Sequence, residues 1–261
     1  MEVVLELHTR EICLKDKKKF VVHPLSDVHI GAEKHKKQLL KEKIKQIIAG
    51  GPTHRVLLLG DLGDTAIVGS PSFRHGATTI QDELTEMVRV FKPIADRVDL
   101  IIPGNHERRV NRAVGLDYTQ QFATLLGRAE SYRPGATVVK YMFGKRKNRG
   151  STPVEMFCHH GYGGGRKGGA KFNKVLDLAN IKGDCDIYMM GHVHDQTIGK
   201  AKIYIGWPPR ELERYFVITG CYLGLEPYAL DCAYPPSAEG SPVIQVECNS
   251  SGQKKIQLLL G

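Results

Sequence analysis

Five short polar runs carry the kinds of groups that hold metal ions: Asp27-Val28-His29, Gly60-Asp61-Leu62-Gly63-Asp64, Gly104-Asn105-His106-Glu107, His159-His160-Gly161 and Gly191-His192-Val193-His194. Each follows an apolar stretch that reads as a buried strand. Together they offer carboxylates, imidazoles and one amide, and no thiolate. A mixed nitrogen and oxygen set of this kind suits Mn²⁺, Fe, Zn²⁺ or Ni²⁺ better than Ca²⁺. Mg²⁺ is suited less, because it prefers oxygen ligands and retained water. Alternate residues of a strand point the same way, so Asp27 with His29, and His192 with His194, each present two donors to one side. One such run alone is an ordinary turn or surface pair. Five of them at the ends of buried strands are not explained that way.

The apolar pattern gives the elements that must position these runs. Phe20 to Leu25 reads as a buried strand with a polar end, and 33–51 reads as a helix with Leu40, Ile44, Ile47 and Ile48 on one face, stopped by Gly50 and Gly51. "HRVLLLGDLGD" is a second strand. A second helix follows with Ile80, Leu84, Met87, Val88 and Phe91 in register and Thr78 or Thr79 as its cap. "RVDLIIPGNHE" is a third strand. The order β-α-β-α-β with continuous apolar strands predicts an α/β fold with a largely parallel sheet, whose strand ends gather in one crevice. After residue 130, "TVVKYMF", "PVEMFCHHG" and "CDIYMMGHVH" read as strands, with "KFNKVLDLAN" helical between the last two. The tail alternates through "AKIYIG" and "RYFVITGCYL" to a hairpin around Ser250–Gly252. The expectation is one domain over 1–261, with the polar runs in 27–194 and a β-rich part over 195–261.

The chain has 261 residues, 41% apolar and 25% charged, as in a globular protein. No apolar run nears the ~20 residues of a membrane span, and the first twenty residues lack the continuous apolar core of a secretory signal. A cytoplasmic location with no membrane partner is expected. The six cysteines are scattered without a C-x-x-C pair and read as reduced thiols. Net charge is +9, which fits a polyanionic partner or a merely basic surface equally well.

The ordered set D-x-H, G-D-x-x-D, G-N-H-E, H-G and G-H-x-H, spanning residues 27 to 194, resembles the calcineurin-like metallophosphoesterase superfamily. The tail over 219–247 is similar to small stand-alone members of bacteriophages, which would place the protein in a host cytoplasm. The resemblance implies a four-layer α/β/β/α sandwich carrying two divalent ions, Mn²⁺ before Fe, Zn²⁺ or Ni²⁺. It implies Asp27, His29 and His194 on one ion, Asn105, His160 and His192 on the other, and Asp61 between them, one oxygen to each. His106 would contact the phosphate and assist the leaving group, and Asp64 would orient a ligand histidine or a water. In "FCHHG" the family's ligand precedes the glycine, which favours His160; a family variant uses the first histidine, so His159 is the alternative. Two such ions share a hydroxide of lowered pKa and clamp the phosphoryl oxygens for in-line attack.

The metal motifs do not select the phosphate ester. Basic residues near them favour a nucleic-acid phosphodiesterase, foremost a DNA nuclease: Arg108 with Arg109 and Arg112 after "GNHE", and Arg166, Lys167 and Lys171 in a glycine-rich loop. Arg74 or His75 could reach the cleft from another loop. Few aromatics are placed for base stacking, so sequence-specific reading is not expected. The alternative is a small-molecule phosphatase or cyclic-nucleotide phosphodiesterase with arginines as single-phosphate clamps. A non-catalytic scaffold would have lost ligands, and here every ligand position is filled. His8, His35 and His54 read as structural or solvated, and His23 as a core residue. Oligomeric state is not legible.

Overall fold

The longest apolar strand residues face one another across the middle of the molecule, and this fixes the layering. The computed structural model describes residues 7–14, 17–70, 73, 78–146, 150–165, 167–226, 229, 231, 233, 235–249 and 253–261. Among them, strands β1 (His8–Leu14), β2 (Lys19–Leu25), β3 (His54–Leu58), β4 (Val98–Ile101), β5 (Thr137–Arg146), β6 (Gly150–His159), β7 (Ile187–Met190), β8 (Thr197–Ile205), β9 (Arg210–Ile218), β10 (Val243–Cys248) and β11 (Lys254–Leu259) form two sheets. The first has the order β11-β10-β2-β3-β4 and the second β1-β5-β6-β7-β9-β8. The helices are α1 (Lys37–Ala49), α2 (Ile80–Phe91), α3 (Asn105–Val114), α4 (Tyr118–Leu126) and α5 (Gly168–Ile181).

Three cores separate four layers, as the resemblance implies. Phe20, Val22, Leu57, Leu59 and Leu100 of the first sheet meet Tyr141, Phe143, Met156, Cys158 and Met189 of the second. On the outer face of the first sheet, Leu25, Val56, Leu58 and Ile101 pack on Leu40, Ile44 and Ile47 of α1, Leu84, Met87 and Phe91 of α2, and Phe122 of α4. On the outer face of the second, Phe157, Tyr188 and Phe216 pack on Val175 and Leu178 of α5. Pleating explains this: successive residues such as Val56, Leu57 and Leu58 alternate between the helix side and the sheet side.

The parallel registers decide where the strands end. Leu25 pairs with Leu58, and Leu58 with Ile101. In the second sheet His159 pairs with Met190, and Met190 with Ile218. Within each sheet the carboxyl ends therefore finish level, β2, β3 and β4 in the first and β6, β7 and β9 in the second, and the polar runs follow β2, β3, β4, β6 and β7.

Several expectations change at their edges. Thr79, not Thr78, caps α2, its hydroxyl accepting the Asp82 N–H at 3.1 Å. Helix α1 starts at Lys37, later than 33, because the preceding residues pair with a distant segment: Lys36 N–H donates to the Tyr222 carbonyl at 2.7 Å and Gly224 N–H to the Lys34 carbonyl at 2.9 Å. Ile48 lies off the packed face and is exposed. Two elements go beyond the reading: β1, a half-buried edge strand parallel to β5, and α4, capped by the Asp117 carboxylate on the Gln120 N–H at 2.9 Å. The final hairpin turn, 250–252, and Arg74 and His75 lie outside the described residues; β10 and β11 on either side of that turn pair antiparallel. His23 is fully buried, with its Nε2 2.9 Å from His54 Nδ1. No helix of the described residues is long and apolar enough to cross a membrane.

A buried carboxylate bridges the two sheets. Asp99 of β4, 1% exposed, accepts from Arg55 Nε of β3 at 2.8 Å and from the Tyr141 hydroxyl of β5 at 2.9 Å. Removing the carboxylate leaves a guanidinium and a hydroxyl without their partner. Asp99→Ala is expected to cost about 3–5 kcal/mol in urea unfolding, and Tyr141→Phe about 1 kcal/mol; equal losses in the two variants would mean that Asp99 is not the centre of the contact.

Candidate metal centre

The strand ends converge with their backbones in an unusual state. Asp27, His29, Asp61, His192 and His194 all have positive φ, between 47° and 71°. This left-handed region is sparsely used by residues with a Cβ, and it is recruited where function dictates direction. The turns turn each side chain out of the sheet toward the shared crevice. They are held by cross-bonds between loops: Asp27 N–H to the Gly60 carbonyl and His29 N–H to the Asp61 carbonyl, both 3.0 Å, and Gly191 N–H to the His160 carbonyl at 2.8 Å.

Two donor groups result. In one, Asp27, His29 and His194 each bring a ligand atom within 4.8 Å of the others; in the second, Asp61, His160 and His192 do the same. His194 Nε2 lies 3.2 Å from both Asp27 Oδ1 and His29 Nε2. His160 Nε2 lies 2.9 Å from Asn105 Oδ1 and 3.3 Å from Asp61 Oδ2. The far side of each group is anchored. Asp27 Oδ2 accepts from the His192 N–H at 2.8 Å and from the Ser26 hydroxyl, which is itself bonded to the Thr219 hydroxyl. Asp61 Oδ1 accepts from the His106 N–H at 2.9 Å. His160 Nδ1 is 2.8 Å from the Leu59 carbonyl, which directs Nε2 into the crevice.

The residues fit a pair of divalent cations. Asp27 Oδ1 is fully buried and has no partner in hydrogen-bond geometry, with only the His194 Nε2 at 3.2 Å beside it. Imidazole nitrogens of His29 and His194 meet head to head, an arrangement that a cation between carboxylate and imidazole donors would relieve. His160, not His159, points at Asn105 and Asp61; His159 Nδ1 instead accepts the Gly161 N–H at 2.7 Å.

Electrostatics separates the histidines. Burial disfavours a proton on His106, but Asp61 and then Asp64 outweigh it and raise the ring to about 9. Burial likewise opposes a proton on His160, and Asp61 lifts it to about 10. His29 and His192 are lowered, first by burial and then by the neighbouring imidazoles of His106 and His160 respectively. Burial would raise Asp27, yet His194 brings it down to about 2. Asp61 falls well below the usual carboxylate range, burial being overcome by His160 and His106.

A further layer stands behind the donors. Asp64 Oδ1 is 3.4 Å from His106 Nδ1 and 3.6 Å from His29 Nδ1. Glu107, the last residue of "GNHE", turns inward: its carboxyl oxygens accept the backbone N–H groups of Asp61 (3.0 Å), Leu62 (2.6 Å) and Gly104 (2.8 Å). Gly104 is required by close approach, since a Cβ there would collide with Asp61 Oδ1 and the Asp61 backbone nitrogen.

The crevice opens into a cavity of about 400 Å³ whose lining includes His29, Asn105, His106, His192 and His194 together with Arg109, Lys171, the Gly163–Gly165 backbone, Leu223 and Ser237. The expected anion clamps are distributed differently. Arg108 lines a separate hollow and donates to the Pro134 carbonyl. Lys167 is exposed at the start of α5, and Arg166 lies outside the described residues. Lys171 is buried and lies 3.3 Å from Asp195, beside His194. Arg109 is the arginine of α3 that reaches the cleft.

The sequence profile described as calcineurin-like phosphoesterase matches residues 22–196, which hold every one of these donors. No curated protein matches the chain. Among solved structures, the crystal structure of calcineurin-like phosphoesterase YfkN from Bacillus subtilis is similar at 12% identity and a TM-score of 0.43, over 93% of this chain and 90% of that one, a likeness too loose to build on. The match across the metal-donor runs settles the family: the chain belongs to the calcineurin-like phosphoesterases, metal-dependent hydrolases of phosphoric esters.

Proposed function

We propose that the chain is a two-metal phosphodiesterase that hydrolyses nucleic acid, DNA foremost. The observation that carries this reading is the pairing of two donor groups around Asp61 with His106 on the rim of one cleft, in a chain of net charge +9. Asp27, His29 and His194 would hold one divalent ion, Asn105, His160 and His192 the other. Asp61, whose Oδ1 accepts the His106 N–H, would be shared between them. Mn²⁺ is the ion we favour. When bound, such ions supply a water of lowered pKa and positive charge for the phosphoryl oxygens.

The chain's own residues then have defined work. Without metal, Asp61 and then Asp64 favour the protonated ring of His106, and its Nδ1 is held 2.7 Å from the Asp64 carbonyl, so Nε2 is the nitrogen left to face the cleft. It can give a proton to the leaving alkoxide, general acid catalysis worth roughly 10²–10⁴ in rate. Arg109 brings a fixed positive charge to the cleft, and the Gly163–Gly165 backbone leaves room for a phosphate chain beside it. Long polyanions are attracted by the overall charge at low salt.

A second reading has one observation in its favour. A cleft of about 400 Å³ lined in part by Leu223 lies within the size range of small-ligand pockets, which fits a cyclic nucleotide or another small ester. The Mn²⁺-loaded chain is expected to cut single- or double-stranded DNA, with affinity falling steeply as salt rises; intact DNA and RNA beside rapid turnover of a cyclic nucleotide would select the second reading. His106→Gln is expected to lower kcat about 10²–10⁴-fold with both ions retained by elemental analysis, whereas Asp61→Asn should lose bound metal together with activity. Metal loss from the His106 variant would make that residue a ligand. Because His160 is held near 10 without metal, a proton leaves when a cation binds at pH 7. Mn²⁺ titration calorimetry in buffers of different ionisation enthalpy should show about one proton released and affinity falling up to about tenfold per pH unit on acidification; pH-independent affinity would remove His160 from the donor set.

A further inference from the structure

Glu83 lies in the first turn of α2, directly before Leu84 on the face that also carries Met87 and Phe91, and it is 2% exposed. A glutamate buried in the helix layer is costly unless something uses it. Both of its carboxyl oxygens lie within hydrogen-bond reach of one backbone amide, the N–H of Thr65, at 2.9 and 3.0 Å. The Tyr118 hydroxyl donates to Oε1 at 3.2 Å. Two loops make room for this carboxyl. A methyl group on Gly31, just beyond His29, or on Gly63, between Asp61 and Asp64, would collide with a Glu83 carboxyl oxygen.

Thr65 is the residue through which the carboxyl acts. Its φ of 42° is left-handed, a conformation that a β-branched side chain resists. Its hydroxyl donates to the His106 carbonyl at 2.6 Å. The residue before it, Asp64, offers its carbonyl to His106 Nδ1 at 2.7 Å and its carboxylate to both His106 and His29. Without the anchor on its N–H, the strained turn can relax, and the ring of His106 is released from the side that fixes its direction.

We infer that Glu83 is a positioning residue for His106: it clamps the Asp64–Thr65 turn and so holds the imidazole Nε2 toward the leaving oxygen. The inference rests on the reading of His106 as the proton donor. Burial, with Asp64 nearby, lifts the Glu83 carboxyl to about 8 against the Thr65 N–H, so the anchor does not depend on a full negative charge. A glutamine, of the same shape and still an acceptor, should serve.

The test compares two esters that differ in their need for a proton, bis(4-nitrophenyl) phosphate with a good leaving group and diphenyl phosphate with a poor one, on the Mn²⁺-loaded full chain. His106→Gln sets the reference, with a loss on the poor leaving group exceeding that on the good one by about 100-fold. Glu83→Ala should show the same preference at roughly tenfold, with two ions still bound, and Glu83→Gln should return to within about threefold of the parent. Thr65→Val, which keeps the branched shape and the N–H and removes the hydroxyl, should fall between them, and Glu83→Met, which fills the site without accepting the Thr65 N–H, carries the test if Glu83→Ala does not fold. In ring NMR spectra of the Zn²⁺-loaded chain, Glu83→Ala should move the His106 resonances more than those of His192. Equal losses on both esters, loss of metal, or an unmoved His106 ring would overturn the assignment. If His106→Gln itself shows no leaving-group preference, the reading of His106 fails, and the ring spectrum alone then decides whether Glu83 positions it.

Discussion

The centre depends on backbone turns that the chain resists making. Five donor residues, Asp27, His29, Asp61, His192 and His194, hold left-handed φ, at a cost of order 1 kcal/mol or more each. Nothing local offsets that cost, because none of the five is glycine. The compensation is long-range. The His29 amide is held by the Asp61 carbonyl, the Asp27 carbonyl by the Tyr222 amide, and the His194 carbonyl by the Ala238 amide. Each strained turn is thus tied to a strand end or segment from another part of the chain, and the parallel registers that bring those ends level are a precondition for the ties. The site is preorganised because the two sheets are.

Residues 219–240 illustrate this coupling. They leave β9 at the Thr219 hydroxyl, which completes the chain through Ser26 to Asp27. They then bond to the Asp27 loop through Tyr222 and return to the His194 loop through Ala238. Leu223 and Ser237 from the same segment line the cleft. One stretch after the last metal-donor run therefore both fastens two donor loops and shapes part of the space a substrate enters.

The donors were legible because their chemistry has no bland explanation at the ends of buried strands. The second layer was not, for the opposite reason. Glu83 in "IQDELTEM" looks like any polar residue of an amphipathic helix; what buries it is the absence of side chains at Gly31 and Gly63, fifty-two and twenty residues away. Glu107 reads as part of a motif, but its task of gathering amides from two strand ends belongs to the packing. The adjacent arginines show a nearer miss. Once α3 is known to start at Asn105, Arg109 falls one turn after Asn105 and three residues after His106, on the cleft side, whereas Arg108 faces the hollow beside Pro134. Helix phase decided that point, and phase needs a boundary that sequence gives only to within a few residues. The α4 signal was present, with Asp117 before it, Tyr118, Phe122, Ala123 and Leu126 at helical spacing and Gly127 after it, but nine residues are short enough to read as loop. Edge strand β1, with Arg10 and Glu11 in its middle, has only a half-buried alternation to mark it.

Charge explains why so many carboxyl groups can share one small region. Five are buried around the cleft: Asp27, Asp61, Asp64, Glu83 and Glu107. Burial raises all five, and their partners separate them. The three aspartates meet imidazoles and are held low, ionised across the neutral range. The two glutamates meet backbone amides and a tyrosine, which do not overcome burial and neighbouring negative charge, and both are raised. The side chains that face the crevice, where cations would be held, are thus the ones whose ionised form is favoured, while burial disfavours that form on the two glutamates behind them. The division between imidazole-paired aspartates and amide-paired glutamates is what lets one cleft carry anionic metal donors beside rigid walls.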